Sequence, residues 1–448
     1  MPLPEKHLSQ YQLAQLILMQ EIRGLLVSPA LWIMLIIISL LVGFSFFQAV
    51  NLFSQASRTA LSFPEMASGM NPLEGIFVPT FGAYYLSQTL LLPFVAIRLI
   101  GLDKQSGALK LLLQLPLSPF SLCALKITAM GFVWLISLIP AVSALFIWQY
   151  WGGHISVPEI ATLLAGHGLY SLTVISIAMF AATISDSLPT AAMFCLAVTL
   201  GSWVIDFAAS GQSGLLGTLG NLSLTGMLRQ FENGLLTTTY IISFLSLASL
   251  FFLLTVIWLH PGHRLFFKMG KSFVTILLLS IVVSSTALVP RYLDVTENRR
   301  HSFNPADTRA LKNLQEPLTI IIHLDPQDSR LLDMEQDILA KLRRSVPKLT
   351  INYTQAKQIA LFSATEDDNY GIIEYEYNNQ RGQSYSNSHN EILPIIYRLA
   401  GLQVVPDPVP TYQGHPHIAE ETNSKWWFYI FLPLLFLSAG IYGRRGKW

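Results

Sequence analysis

Long apolar runs, almost free of charge, recur along this chain and set its organisation. They centre on Ala30–Val50, Phe81–Ile97, Ile127–Tyr150, Ile160–Ile184, Ser187–Ile205, Leu235–Leu259, Ser272–Pro290 and Trp426–Gly443. A helix needs about 20 apolar residues to cross the hydrocarbon of a bilayer, so each run predicts one membrane span. Trp426, Trp427, Tyr429 and Tyr442 mark the ends of the last run as interfacial anchors. Pro93 and Pro140 interrupt two spans, which neighbouring helices tolerate by re-satisfying the freed backbone groups. Ahead of the first run, Leu8–Leu26 sets Leu13, Leu16, Ile17 and Met19 against Gln12, Gln15, Gln20, Glu21 and Arg23. That reads as an amphipathic elbow helix lying along the inner leaflet, or else as the start of a tilted first span.

Between Arg291 and Gly401 the pattern changes to that of a soluble α/β segment. Leu318–Leu324, bounded by Pro317 and Pro326, reads as a buried strand. Asp328 and Ser329 cap a following helix in which Leu331, Leu332, Met334, Ile338, Leu339 and Leu342 recur at helical spacing, and Pro347 stops it. Leu349–Tyr353 gives a second strand and Gly371–Tyr377 a third, Asn378–Arg381 a turn, and His389–Leu399 a closing helix. One β-α-β unit plus a hairpin is a thioredoxin-like layout. Leu402–Ser424, with four prolines, reads as a linker back to the membrane.

Composition sharpens this picture. Hydrophobic residues make up 52% of the 448 and charged residues 12%, against about 25% charged in a typical soluble domain. The net charge of +1 gives no pull towards nucleic acid. Eighteen of the 27 carboxylates lie between Arg291 and Ser424, so two kinds of material are joined. Cys123 and Cys195 sit in apolar stretches and read as core residues. No cleavable signal peptide is expected, because the first apolar run begins near Ala30.

Orientation follows from Lys and Arg in the short loops. With the N-terminus inside, Lys6, Arg23, Arg98, Lys104, Lys110, Lys126, Arg264, Lys268, Lys271, Arg444, Arg445 and Lys447 fall on the cytoplasmic side. Only Arg58 and Arg229 fall in short outer loops. Both termini are therefore expected in the cytoplasm of a bacterial-type cell, with residues 291–424 outside the inner membrane.

Catalytic chemistry is absent from the sequence motifs. Gly270-Lys271-Ser272 imitates the end of a phosphate loop, but Leu265 holds the position of the required first glycine. His260 and His263 flank a Pro-Gly turn and read as loop residues, while His167 reads as a packed, hydrogen-bonded group inside the fourth span. Arg98, Asp186 and Asp206 are charge candidates at span ends, where side chains reach water. Too few ionisable groups lie at mid-membrane for an ion-driven pump. No enzyme activity and no cofactor of this chain's own are expected, and no metal site.

The segment Asp103-Lys104-Gln105-Ser106-Gly107-Ala108-Leu109-Lys110, with Leu112, Pro116 and Ser118 after it, resembles the acidic-x-x-x-Gly-Thr-Leu-Glu-x-Leu-Leu-x-x-Pro-x-Ser stretch of the type-2 ABC-transporter permeases. It has Asp103, Ala108 and Lys110 where Glu, Thr and Glu are common. Leu224–Leu259 is similar to the last part of the gliding-motility type of that family, with a re-entrant loop before the sixth helix. Val283–Asp325, through its Asp-x-Thr-Glu-x-x-Arg from Asp294 to Arg300, resembles the start of the auxiliary component of the same system, and Trp426–Lys447 its C-terminal anchor.

The resemblance implies a fusion of permease and shortened auxiliary component. Its parts are an elbow (1–28), a six-helix permease (29–260) with a cytoplasmic coupling segment (102–120), a linker and seventh helix (261–290), a periplasmic α/β domain (291–401), a linker (402–424) and an eighth helix with a basic tail (425–448). It implies a separate cytoplasmic ATPase that binds ATP and Mg, packs against 102–120 and drives a dimer of this chain. A permease moving an unidentified substrate is one functional reading. The other is a non-transporting subunit that relays ATP-driven motion to an envelope protein or glycan through the outer domain.

Overall fold

Uncharged stretches of this length leave the backbone one economical solution, the helix, in which every interior peptide group bonds within the segment. In the computed structural model that is what they form. The structure describes residues 9–209, 219–220, 223–286, 291–325, 328–354, 370–405, 412–419 and 424–445. Lys6, Lys447, Pro290 and the middle of the 402–424 linker lie outside them. Among the described residues, eight helices are long and apolar enough to span a bilayer: Pro29–Ser62, Leu73–Ser106, Pro119–Tyr150, Val157–Ile184, Leu188–Ala209, Thr238–Leu259, Leu265–Thr286 and Trp427–Arg444. The chain is a polytopic helical membrane protein.

It divides into two compact units. The larger comprises Met1–Trp203, Met227–Leu293 and Gln413–Trp448, the smaller Val204–Gly226 and Asp294–Tyr412. In the larger unit the elbow is a separate helix, α1 (Gln10–Val27), with a Ser9–Gln12 capping box at its start. Ser28, in an extended conformation, breaks it from α2 (Pro29–Ser62), so the two are not one tilted helix. Ile17 and Leu25 of α1 are buried while Leu16 and Met19 are exposed. The inward face therefore runs Ile17–Glu21–Leu25 at four-residue spacing, and Glu21 lies on it rather than on the polar side.

The second span comprises α3 (Val78–Ala96) and α4 (Arg98–Ser106). The third comprises α5 (Pro119–Ser137) and α6 (Ile139–Tyr150), broken just before Pro140. The fourth and fifth are α7 (Val157–Ile184) and α8 (Leu188–Ala209). A short helix, α9 (Leu224–Glu232), precedes the sixth span, α10 (Thr238–Leu259), and α11 (Leu265–Thr286) follows it. The seventh span begins at Leu265 rather than Ser272, so Gly270-Lys271-Ser272 is part of a helix and forms no loop. None of the residues of α11 is buried within the chain.

The eighth span packs directly on the first. Ser39 Oγ donates to the Phe428 carbonyl at 2.8 Å. At Gly43 a Cβ would stand 2.4 Å from Phe428 Cβ, so glycine is what lets the helices close. The segment before this span is strapped along α2: the His417 and Ala419 N–H groups donate to Ser57 Oγ (3.0 Å) and Ser54 Oγ (3.2 Å).

The smaller unit holds a four-stranded mixed sheet. Its strands are β1 (Leu318–Ile322), β2 (Leu349–Tyr353), β3 (Ile373–Tyr377) and β4 (Gln380–Ser384), in the order β2-β1-β3-β4. β1 pairs parallel with β2 and antiparallel with β3, setting Ile320 opposite Ile351 and Tyr375. Leu318, Ile320 and Ile322 are buried from alternate positions. They pack with Leu331, Ile338 and Leu342 of the β1–β2 crossover and with Ile392 and Ile396 of the helix His389–Ala400. The expected turn at Asn378–Arg381 is tighter: Asn378 and Asn379 alone, at φ 46 and 61°, join β3 to β4. Asp294, the first residue of the Asp-x-Thr-Glu-x-x-Arg motif, accepts from the N–H groups of Thr296 (3.1 Å) and His301 (3.0 Å). That carboxylate closes a local turn.

Candidate functional site

Asp103, Lys104, Gln105 and Ser106 are the last turn of α4, continuous with the second span, rather than a separate loop. Gly107 ends the helix at φ 80°, a left-handed conformation natural to glycine. Ala108–Leu112 forms one further helical turn, and Ser118 caps α5 by accepting from the Ser121 N–H at 3.1 Å. Leu109 is buried, while Gln105, Ser106, Lys110 and Pro116 are exposed and Leu111 is 67% exposed. Gly107, Ala108 and Leu112 are half-buried.

The first two residues of α4's final turn are fastened. Lys126 of α5 has no exposed surface. Its Nζ donates to Asp103 Oδ2 (2.6 Å), to Glu21 Oε1 of α1 (2.5 Å) and to the Leu99 carbonyl (2.6 Å). All three ammonium protons thus have acceptors, which a buried lysine requires. Burial pushes the Glu21 carboxyl above its ordinary value, against the pull of Lys126. One residue on, Lys104 donates to the Ser185 (2.7 Å) and Thr183 (3.1 Å) carbonyls at the end of α7 and pairs with Asp186 at 3.2 Å. The Asp186 side chain is fully exposed, so that ion pair adds little beside the two carbonyl contacts.

Asp186, expected as a separate charge candidate, is thereby brought to the segment. Arg98 stands half-buried at the start of α4. Asp206 belongs to the smaller unit, where Ser223 Oγ donates to it at 3.2 Å. Lys126 and Glu21 are additions: sequence reading placed Lys126 among loop charges and Glu21 on a polar face. The available signal was that Lys126 is an isolated charge inside an apolar stretch; Glu21, between Gln20 and Arg23, gave none.

No family model, curated protein or solved structure matches the chain.

The histidines divide. His260 and His263 stack at 4.1 Å in the turn before α11. His167 is wholly buried against Phe81 and Tyr84. Contrary to expectation neither of its ring nitrogens is hydrogen-bonded.

Proposed function

We propose that this chain is the membrane subunit of an ABC transporter of the type-2, gliding-motility kind, fused to a shortened auxiliary component and driven by a separate cytoplasmic ATPase. The observation that supports the reading most is the fastening of Asp103 and Lys104. A segment that presents Lys110 and Leu111 outward while its root is tied to three neighbouring elements is suited to receive force from a soluble partner. In this reading the partner binds ATP and Mg, two copies of the chain act together in the bacterial inner membrane, and an unidentified substrate is moved. Both termini are cytoplasmic. The four-stranded sheet, with its β-α-β unit, hairpin and closing helix, is read as a thioredoxin-like periplasmic module that binds a protein or glycan. That module has no cysteine from Arg291 to Gly401, so a thiol-disulfide role is not part of the proposal.

Co-purification of the chain with the product of a neighbouring ATPase gene tests the reading. Leu111→Asp alters an exposed position without touching the core, whereas a charge at Leu109 would disturb packing. Loss of the ATPase from Leu111→Asp, with unchanged yield and thermal unfolding, is the expected result. Undiminished association would remove the coupling assignment.

A force-relaying subunit without transport is the second reading. The strap of His417 and Ala419 on Ser57 and Ser54 favours it, because movement of the first span would be handed to the chain that leads to the eighth. Blocking that strap with Ser54→Ala/Ser57→Ala should impair function in this reading and leave ATPase association intact.

A further inference from the structure

The loop between the third and fourth spans meets the strap that leads to the eighth span at two histidines. His154 follows α6, His415 lies near the start of the strap, and both belong to the larger unit. Their rings stack at 3.6 Å, 17° from parallel. A ring nitrogen of each lies within 4.8 Å of the other's, and both residues are half-buried.

The main chain beneath each ring is held independently of the other ring. Trp148 Nε1 donates to the His154 carbonyl at 2.9 Å, and a Cβ on Gly153 would run into the same indole, so the turn is closed tightly over it. On the strap, the His415 N–H donates to the Met70 carbonyl at 2.8 Å. Gly414 beside it is left-handed at φ 73°, and a Cβ there would run into the Ala67 carbonyl oxygen. His417 continues the fastening: its ring stands edge-on to Trp148 and its Nε2 donates to the Trp151 carbonyl at 2.9 Å. Two imidazoles are thus delivered to one place by backbones already fixed, and only side-chain torsions are left to set.

We propose that His154 and His415 form a binding site for a divalent late-transition-metal ion of the zinc, copper or nickel class, which staples the strap to the loop between the third and fourth spans. Imidazole nitrogen is a ligand these ions favour, whereas magnesium and calcium take oxygen. Two imidazoles on tetrahedral zinc, at bonds of about 2.0–2.1 Å, hold their nitrogens about 3.3 Å apart. The pair therefore has to close by at most about 1.5 Å. Rotating the rings out of their stack does this and turns both lone pairs to a common point, with the backbones in place. Each bond is a nitrogen lone pair donated to the ion, with no redox change. Water completes the coordination at a half-buried site of this kind. The two residues are too far apart in the chain for any ligand spacing to announce them. The site stands whether or not the chain is an ABC permease.

The test uses the full chain, without a histidine tag, in lipid nanodiscs. His260→Ala/His263→Ala serves as the parent, so that the other stacked pair, at 4.1 Å, does not contribute. The probes are Cu²⁺ and Zn²⁺ alone. Expected is one equivalent of Cu²⁺ retained after desalting, with imidazole nitrogen hyperfine structure in its electron paramagnetic resonance spectrum. Zn²⁺ should raise the unfolding temperature, because an ion bound only by the folded state stabilises it. His154→Gln and, separately, His415→Gln should each weaken binding at least about tenfold, the effect that losing even an outer partner of a ligand has, and should abolish the rise. A parent that retains no ion overturns the proposal whatever the variants do. Equal retention with an unchanged spectrum in both variants overturns it too, since the ion then sits elsewhere.

Discussion

Replacing Lys126 with methionine tests how the segment 102–120 is anchored. The change preserves most of the stem's volume and removes the ammonium that serves Asp103, Glu21 and the Leu99 carbonyl. Lys126 is wholly buried and the two carboxylates are 25% and 15% exposed, so water reaches the abandoned partners only in part. Removing one member of a buried ion pair costs about 3–5 kcal/mol. The lower end, about 3 kcal/mol, is expected here, because both abandoned carboxylates keep some access to water. The loss should appear in two places: a lower unfolding temperature in nanodiscs, and faster tryptic cleavage after Arg23 on the exposed side of α1. The decisive comparison is Glu21→Gln/Asp103→Asn/Lys126→Met, which removes all three charges together. It should recover most of the loss, since no charge then has to be buried unpaired. If the single variant lies within about 0.5 kcal/mol of the unaltered chain, or the triple variant is less stable than the single, the three charges are not a unit and the argument fails.

Other consequences are narrower. Gly107→Ala should destabilise the end of α4 by about 1 kcal/mol because of its left-handed backbone, and Gly107→Asn by less; thermal unfolding reads both. Gly43→Val should displace the eighth span from the first, seen as lost disulfide cross-linking between cysteines placed at Ser39 and Phe428. In the smaller unit, Arg330 and Tyr370 hold the Asp328 carboxyl at about 2, below its ordinary value. Its contribution is therefore complete above about pH 4 and is lost as pH falls towards 2, so the stability gap to Asp328→Asn should close over that window. Glu21 has the opposite sign: its raised value makes folding gain as pH falls towards about 4.5, and Glu21→Gln should abolish that gain.

Apolar length was the legible part of this sequence, because a bilayer allows few backbone solutions to a long uncharged run. Helix ends were less so. The first span runs on to Ser62 through polar residues such as Asn51, Gln55 and Arg58, which a helix accommodates once outside the apolar slab. In the sheet, Leu318–Ile322 announced itself by β-rich composition. Gln380–Ser384 has no apolar side chain and is a strand only because the Asn378-Asn379 turn returns it alongside Ile373–Tyr377. The segment 102–120 was visible as a stretch, and its fastening was not. Lys126 meets partners 105 and 23 residues away, and no local spacing encodes such distances.

Those separations also say what the fastening does. A chain with 12% charged residues has few ion pairs to place, and two adjacent residues here reach different neighbours. Asp103 is held to the third span and the elbow, and Lys104 to the end of the fourth. A load applied at Lys110 or Leu111 therefore reaches the first ordered turn of α4 already shared among several helices. Gly107 lies outside both anchors, between them and the exposed surface. Its bend sets the direction of the outer turn, and it does not loosen the root. Were the order reversed, with the left-handed residue inboard of Asp103, the same contacts would hold the helix still while the segment swung free. If the proposed coupling role holds, the sequence order of anchor, glycine and exposed turn would make the segment a lever rather than a flap.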